Sequence, residues 1–277
     1  MTHTQTITPK KRINSIDALR GFALIGIMLL HCMERFDLTL APVVESPFWQ
    51  AIDTAVYDSL YFLFSGKSYA MFSLLFGLSF FMQMESQAVD FRGRFLWRLA
   101  LLFLFGYING LVYMGEFFMV YAVLGVFLIP LYKVSTRWLL VLCILLFLQI
   151  PAVISFVSLL SDNVANEPTA AAAYMDRLFE RAADVFINGS LMDVLSFNTF
   201  DGQSAKCLWV FNNFRYLQLL GLFIAGMLIG RQGIHKSEEK MVKYSRLFLP
   251  YCLAFWAVFY AVAFLLPVWG VDGFALR

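Results

Sequence analysis

Apolar residues fall in seven long blocks along the chain, each bounded by charged or turn-forming positions, and that spacing predicts seven membrane-crossing helices. Span 1 is expected at about 17–33, with Ser15 or Asp17 as its N-cap. Its apolar part, 21–33 interrupted by His31, falls short of the ~20 residues that hydrocarbon demands. The helix is therefore expected to run on through Glu34, Arg35 and Phe36, with those polar groups facing protein or water. That predicts a wet cavity at the outer end of span 1. Residues 37–58 carry two prolines and four acids and read as an extramembrane loop with an amphipathic piece. Lys67 then separates a re-entrant segment, beginning at Leu60, from span 2 at 68–84.

Spans 3 and 4, at about 96–113 and 117–131, are joined only by Met114, Gly115 and Glu116, which predicts an antiparallel hairpin. Span 5 covers 138–160 with a kink at Pro151, span 6 covers 208–230 and span 7 covers 247–266. Between spans 5 and 6 lies the longest polar region, 161–207, with an alanine-rich helical stretch at 170–185. The organisation is thus an all-α polytopic integral membrane bundle. A cytoplasmic segment, 1–16, precedes a single transmembrane helical domain, 17–277, with an extracytoplasmic loop at 161–207.

Charge orients the bundle. The loop after span 6 carries five basic residues, Arg231, Lys236, Lys240, Lys243 and Arg246, against two acids, whereas 161–207 carries seven acids and three bases. With Lys10, Lys11 and Arg12 at the start of the chain, this bias places the N-terminus in the cytoplasm. Composition agrees, since 60% of residues are hydrophobic and only 14% charged, more apolar surface than a soluble domain can hide. The first helix lacks a small-x-small cleavage site and is read as retained. Basic residues form short separated clusters, which argues against nucleic-acid binding. Four cysteines and three histidines show no metal-ligand spacing, and Cys143 and Cys252 read as small packing residues.

The chemistry must come from a sparse polar set. Arg20 and His31 are eleven residues apart, three turns plus roughly 20°, so they share a helix face about 16 Å apart along the axis. His31 is either a general base or an inter-helix hydrogen-bond donor. Arg20 either grips a phosphate or pairs with Asp17 at i,i+3. Arg94 and Arg98 share a face at the start of span 3 and either complete the same basic mouth or mark the inner face. Asn109 and Glu116 would share a face if span 3 continued. Arg215 calls for an acid, with Glu116, Asp201 or an acidic substrate as the candidates. Gln149, Asn212 and Gln218 read as inter-helix hydrogen bonds. Gly106/Gly110 and Gly226/Gly230 each form a GxxxG, which permits close helix approach.

Four motifs run through the chain in order: Arg12-Ile-x-x-Ile-Asp17-x-Leu-Arg20-Gly21-Phe-Ala-x-x-Gly-Ile, Phe72-Ser-Leu-Leu-Phe-Gly77, Tyr121-Ala-x-Leu-Gly125 and Gly226-Met-x-x-Gly-Arg231. They resemble the YeiB-like family of bacterial multi-pass membrane proteins, which looks related to transmembrane acyltransferases. The resemblance implies a protein of the bacterial cytoplasmic membrane. It also implies cytosolic acyl-CoA as donor and an extracytoplasmic hydroxyl or amine, such as a cell-envelope glycan, as acceptor. Surface-polysaccharide acyltransferases carry an arginine, ten residues and a histidine in their first span, the spacing of Arg20 and His31. The YeiB-like pattern has asparagine at the place of His31, histidine-alanine at 109–110 and Gly-Asp at 115–116, so the polar residues of spans 1 and 3 are exchanged here. Family members usually continue through more spans, so the chain is expected to be a shortened member.

On this reading His31, Asn109 and Glu116 form the catalytic group, with Asn109 supporting His31. Arg12, Asp17, Arg20, Arg94 and Arg98 form the CoA-phosphate mouth, and no metal is expected. A proton-coupled permease using His31, Glu116 and Arg215 is the alternative, and a non-catalytic membrane scaffold is a third.

Overall fold

In the computed structural model residues 14–37, 46–85, 91–160 and 170–265 are described, and the regular structure among them is helical. The basic cluster with Arg12, the connections 38–45, 86–90 and 161–169, and the tail 266–277 lie outside the described residues. The helices are α1 (Asn14–Asp37), α2 (Pro47–Phe64), α3 (Lys67–Glu85), α4 (Arg92–Gly110), α5 (Phe118–Leu131), α6 (Thr136–Phe147), α7 (Ile150–Leu160), α8 (Ala170–Asn188), α9 (Leu191–Asn212), α10 (Arg215–Arg231) and α11 (Glu238–Leu265). A 3-10 turn, Ile234–Lys236, precedes α11.

α1 continues to Asp37, as its short apolar stretch requires. The 37–58 loop is corrected. From Pro47 the chain forms one helix that absorbs the predicted re-entrant segment, because Pro47 fits the first helical turn and no breaker follows before Ser65. Gly66, at φ +69°, then turns the chain, and Lys67 opens α3. Span 5 is interrupted between α6 and α7 by Gln149 at φ 43°, two residues before the expected kink at Pro151, and Thr136–Ser155 still reads as one apolar span. Span 6 and the loop before it are also corrected. Residues 191–212 form α9, started by a Ser190/Asp193 capping box, and the chain then bends by 72° into α10 through Phe214 at φ 52°. The alanine-rich helix is present as α8. Much of the charged 231–246 segment belongs to the 3-10 turn and the start of α11.

Asn14–Met33 and Thr136–Ser155 are long and apolar enough to cross a membrane, the bent pair α9–α10 makes a third if counted as one span, and α5 is a shorter apolar helix. Large apolar side chains, among them Trp97, Phe105, Trp138 and Phe255, cover the outer faces of the bundle.

The core is centred on α3 and α10. A Cβ on Gly77 would overlap the Phe223 carbonyl, and one on Gly226 would overlap the Leu74 carbonyl, so the two backbones touch where both lack side chains. Aromatic rings pack around that crossing, with Phe76–Phe223 centroids at 4.7 Å and Phe80–Phe95 at 4.6 Å. Gly230 faces the Phe81 ring. Next to it the Arg231 guanidinium donates to the carbonyls of Tyr132, at 2.5 Å, and Val134, at 2.7 Å. Those acceptors lie in the turn that follows α5, so the guanidinium fastens the α5–α6 connection. The Gly226–Arg231 motif thus serves packing and this connection together.

Gly226→Ala is expected to destabilise the bundle by about 1–3 kcal/mol or more through overpacking. Gly93→Ala, with nothing within 4 Å of its Cβ, is expected to be neutral or mildly stabilising. Thermal unfolding of the two variants in detergent measures the difference.

Candidate functional site

Polar residues gather at both ends of α1. Near its start, Arg20 donates to Asp17 Oδ1 at 2.8 Å and to Ser79 Oγ at 2.6 Å, and Ser79 in turn donates to the Leu75 carbonyl. Arg98 donates to Gln83 Oε1 at 2.6 Å, and Lys236 pairs with Glu85 at 3.0 Å. Ser79, Gln83 and Glu85 lie along the last two turns of α3, so that helix end collects Arg20, Arg98 and Lys236 on one rim. Arg94 is exposed on the α4 side. The Asp17–Arg20 pair is present, and both side chains keep about a third of their surface exposed, 34% and 35%.

Near the far end of α1, part-buried His31 meets the turn between α4 and α5. Its Nδ1 is 2.7 Å from the Tyr113 hydroxyl, and the two rings pack edge to face with centroids 5.0 Å apart. Three residues on, Glu116 is 2% exposed and Lys206 of α9 is 4% exposed. Lys206 Nζ donates to Glu116 Oε2 at 3.2 Å, while the Phe118 N–H donates to Glu116 Oε1. Burial pushes the Glu116 carboxyl above the ordinary carboxylate range; Lys206 opposes the rise most strongly, and His31 adds a weaker pull in the same sense. Asn198 of α9 donates to the Leu111 carbonyl at 3.0 Å and fastens the same turn.

His31 and Glu116 lie near enough to interact electrostatically. Tyr113 is a hydrogen-bonding neighbour of His31, whereas Asn109 is exposed at the end of α4. The chain leaves the helix at Gly110, so the face that Asn109 and Glu116 were expected to share is lost. Arg215 has neither predicted acid, because Glu116 is taken by Lys206 and Asp201 by Arg181 at 2.6 Å. It donates instead to Gln218 at 3.0 Å and sits 5.5 Å from the Trp209 ring centroid. Sequence reasoning missed Tyr113, which looks like an ordinary interfacial aromatic at a span end. It also missed Lys206, whose signal is a lone base where an acidic segment turns apolar.

Two cavities stand apart from these clusters. One, of about 390 Å³, lies between α8 and α9 and is lined by Arg181, Asp184, Asn188, Asp193 and Asp201 among others. The other, an apolar groove of about 740 Å³ between α1 and α11, is lined by Leu19, Phe22, Val242 and Arg246 among others. Neither is lined by Arg20 or His31. Among the described residues no group of three or more His, Cys, Asp or Glu is placed to hold a metal. Cys143 is buried against the Gly221 carbonyl, but Cys252 is exposed on α11 and does not pack as expected.

Fold and site define a helical protein with apolar outer faces and a charged pair sealed inside. The chain is 27% identical to YeiB of Escherichia coli (strain K12) over 244 residues, 84% of this chain and 59% of that protein. It is 26% identical to YxaH of Bacillus subtilis (strain 168) over 270 residues, 90% of this chain and 65% of that one. A 39.9 kDa protein from the amylase 3' region of Bacillus acidopullulyticus is 35% identical over 130 residues, 45% of this chain and 35% of that protein. YeiB and YxaH, distant homologues 26–27% identical over most of the chain, support the YeiB-like family that its motifs indicated. The chain spans less than two thirds of the length of each of the three, and none of their names states an activity. No family model and no solved structure matches.

Lys206→Met is expected to cost about 3–5 kcal/mol, because it leaves Glu116 buried without its cation. Adding Glu116→Gln should recover part of that loss, and a double-mutant cycle of thermal stabilities reads the coupling.

Proposed function

We propose that this protein is a cytoplasmic-membrane acyltransferase of about seven crossings with its N-terminus inside, moving an acyl group from cytosolic acyl-CoA to an extracytoplasmic hydroxyl or amine. The crossings are α1, α3, α4, α5, α6 with α7, α10 and α11. The observation that carries the reading is the placement of two unlike polar groups on one helix. Arg20, with Arg98 nearby on the α3 rim, stands at one end of α1. His31, beside Glu116, stands three turns away.

The chemistry follows from the residue types. Arg12, Arg20, Arg94 and Arg98 offer guanidinium groups to the CoA phosphates, and Asp17 orients Arg20. His31 takes the proton from the acceptor O–H or N–H. The freed electron pair attacks the thioester carbon, the C–S bond breaks and the thiolate leaves to be protonated. Glu116, paired with Lys206, lies within electrostatic reach of the His31 ring. Exposed Asn109 is available to the acceptor. Holding both reactants in reacting geometry would supply much of the rate gain.

A second reading, a proton-coupled permease, is favoured by the buried Glu116–Lys206 pair next to a histidine, a proton-relay composition. Calorimetry of purified protein with acyl-CoA separates the two. Binding is expected, weakened about tenfold or more by Arg20→Ala, with His31→Ala binding normally but transferring nothing. Absence of binding to the wild type, with proton-coupled solute flux in vesicles, establishes the permease instead. Absence of both leaves a scaffold.

A further inference from the structure

We infer that Arg215, with the Tyr69 hydroxyl and the Gln218 amide, forms a binding site for a carboxylate-bearing ligand at the bend between α9 and α10. An arginine among apolar helices needs a counter-charge. Among the described residues Arg215 has no ion pair, since Lys206 holds Glu116 and Arg181 holds Asp201. Its contacts there are neutral. One Nη donates to Gln218 Oε1 at 3.0 Å, and the guanidinium carbon stands 5.5 Å from the Trp209 ring centroid. With both acids of the chain engaged elsewhere, an acidic ligand is the partner that remains.

A second polar group at this place lacks a partner. The Tyr69 hydroxyl oxygen is buried and has no hydrogen-bond partner among the described residues, and the Arg215 charge acts on it. A buried phenol ordinarily finds one. The Phe117 ring packs edge to face on both Tyr69 and Trp209, with centroids 6.1 Å apart in each pair, so the phenol and the indole flank one residue. Phe214, a bulky residue at φ 52° and ψ 23°, sets Arg215 at the first turn of α10, which has no side-chain cap.

The donor set selects the ligand. Guanidinium N–H and phenol O–H groups call for an anion, and the Gln218 amide nitrogen adds donors because its oxygen already accepts from Arg215. One cation balances one charge. A phosphate monoester brings about −1.5 to −2 at neutral pH, and the excess is costly in a part-buried site. A planar carboxylate instead takes two parallel bonds from a guanidinium. Phe117 follows Glu116 directly, so the site adjoins the turn that meets His31. The carboxylate site stands on these contacts alone; that the carboxylate belongs to the acyl acceptor rests on the acyl-transfer reading.

The test is saturation-transfer NMR of the full chain at pH 7 in a sugar-free detergent, titrated with glucuronate, glucose or glucose 6-phosphate. The three probes share a ring and differ in charged group. Saturable transfer to glucuronate is expected, with none to glucose and weaker transfer to the phosphate. Arg215→Gln should weaken glucuronate binding about tenfold or more and Tyr69→Phe about fivefold, with Arg215→Lys between wild type and Arg215→Gln. No saturable binding of glucuronate, equal binding of glucose, tighter binding of the phosphate, or an Arg215→Gln titration like the wild type overturns the proposal. Should Arg215→Gln fail to fold, Tyr69→Phe and Arg215→Lys decide. Acyl-CoA calorimetry is a separate readout: glucuronate binding without acyl-CoA binding retains the carboxylate site and rejects the acyl donor.

Discussion

Gly77 on α3 and Gly226 on α10 let two helix backbones touch, and both polar rims inherit their geometry from that crossing. The contact leaves α3 and α10 little freedom to slide, because a shift by one residue would set a side chain against a carbonyl. Aromatic rings then fill the wedge on either side, Phe76 on Phe223 and Phe80 on Phe95. With α3 fixed, Ser79, Gln83 and Glu85 stand where Arg20, Arg98 and Lys236 reach them. With α10 fixed, Arg231 reaches the carbonyls in the turn after α5.

The opposite end depends on α9. Asn198, Gln203 and Lys206, on one side of α9, meet the Leu111 carbonyl, Gly110 and Glu116 in turn. One stripe of α9 therefore acts as a polar strap over the α4–α5 turn. The Lys206–Glu116 pair adds little net stability, since removing both charges from water offsets their attraction, but either charge alone is costly to leave buried. Its effect is selective: arrangements that separate the two charges are penalised. That holds the turn, and with it Tyr113, against α1.

The sequence made some of this legible and hid the rest for physical reasons. Short polar joints and glycine spacing are local signals, so the α4–α5 hairpin and the close approach at Gly226 could be read directly. Continuation of α1 past His31 followed from length alone. The α9 helix escaped because its apolar and polar residues do not segregate strongly, and hydropathy weighed it as a loop. α2 escaped because Asp53 and Asp58 suggested an extramembrane loop, although neither residue breaks a helix. At the site, His31 and Glu116 stood out as ionisable groups among apolar neighbours. Their contacts with Tyr113 and Lys206 depend on tertiary placement, which no spacing within one helix encodes.

α2 has no buried residue over its 18 positions, and beyond the Ser65–Gly66 turn it meets the rest at peripheral ring pairs, Phe64 with Phe22 of α1 and Phe62 with Trp256 of α11. Its helical content is therefore only weakly coupled to the interlocked centre, and releasing it costs fewer packed contacts than melting that centre. Far-ultraviolet dichroism will count those residues as structure, while the enthalpy of the main calorimetric transition will scarcely include them. Secondary-structure content and cooperativity are, for this chain, two different measurements.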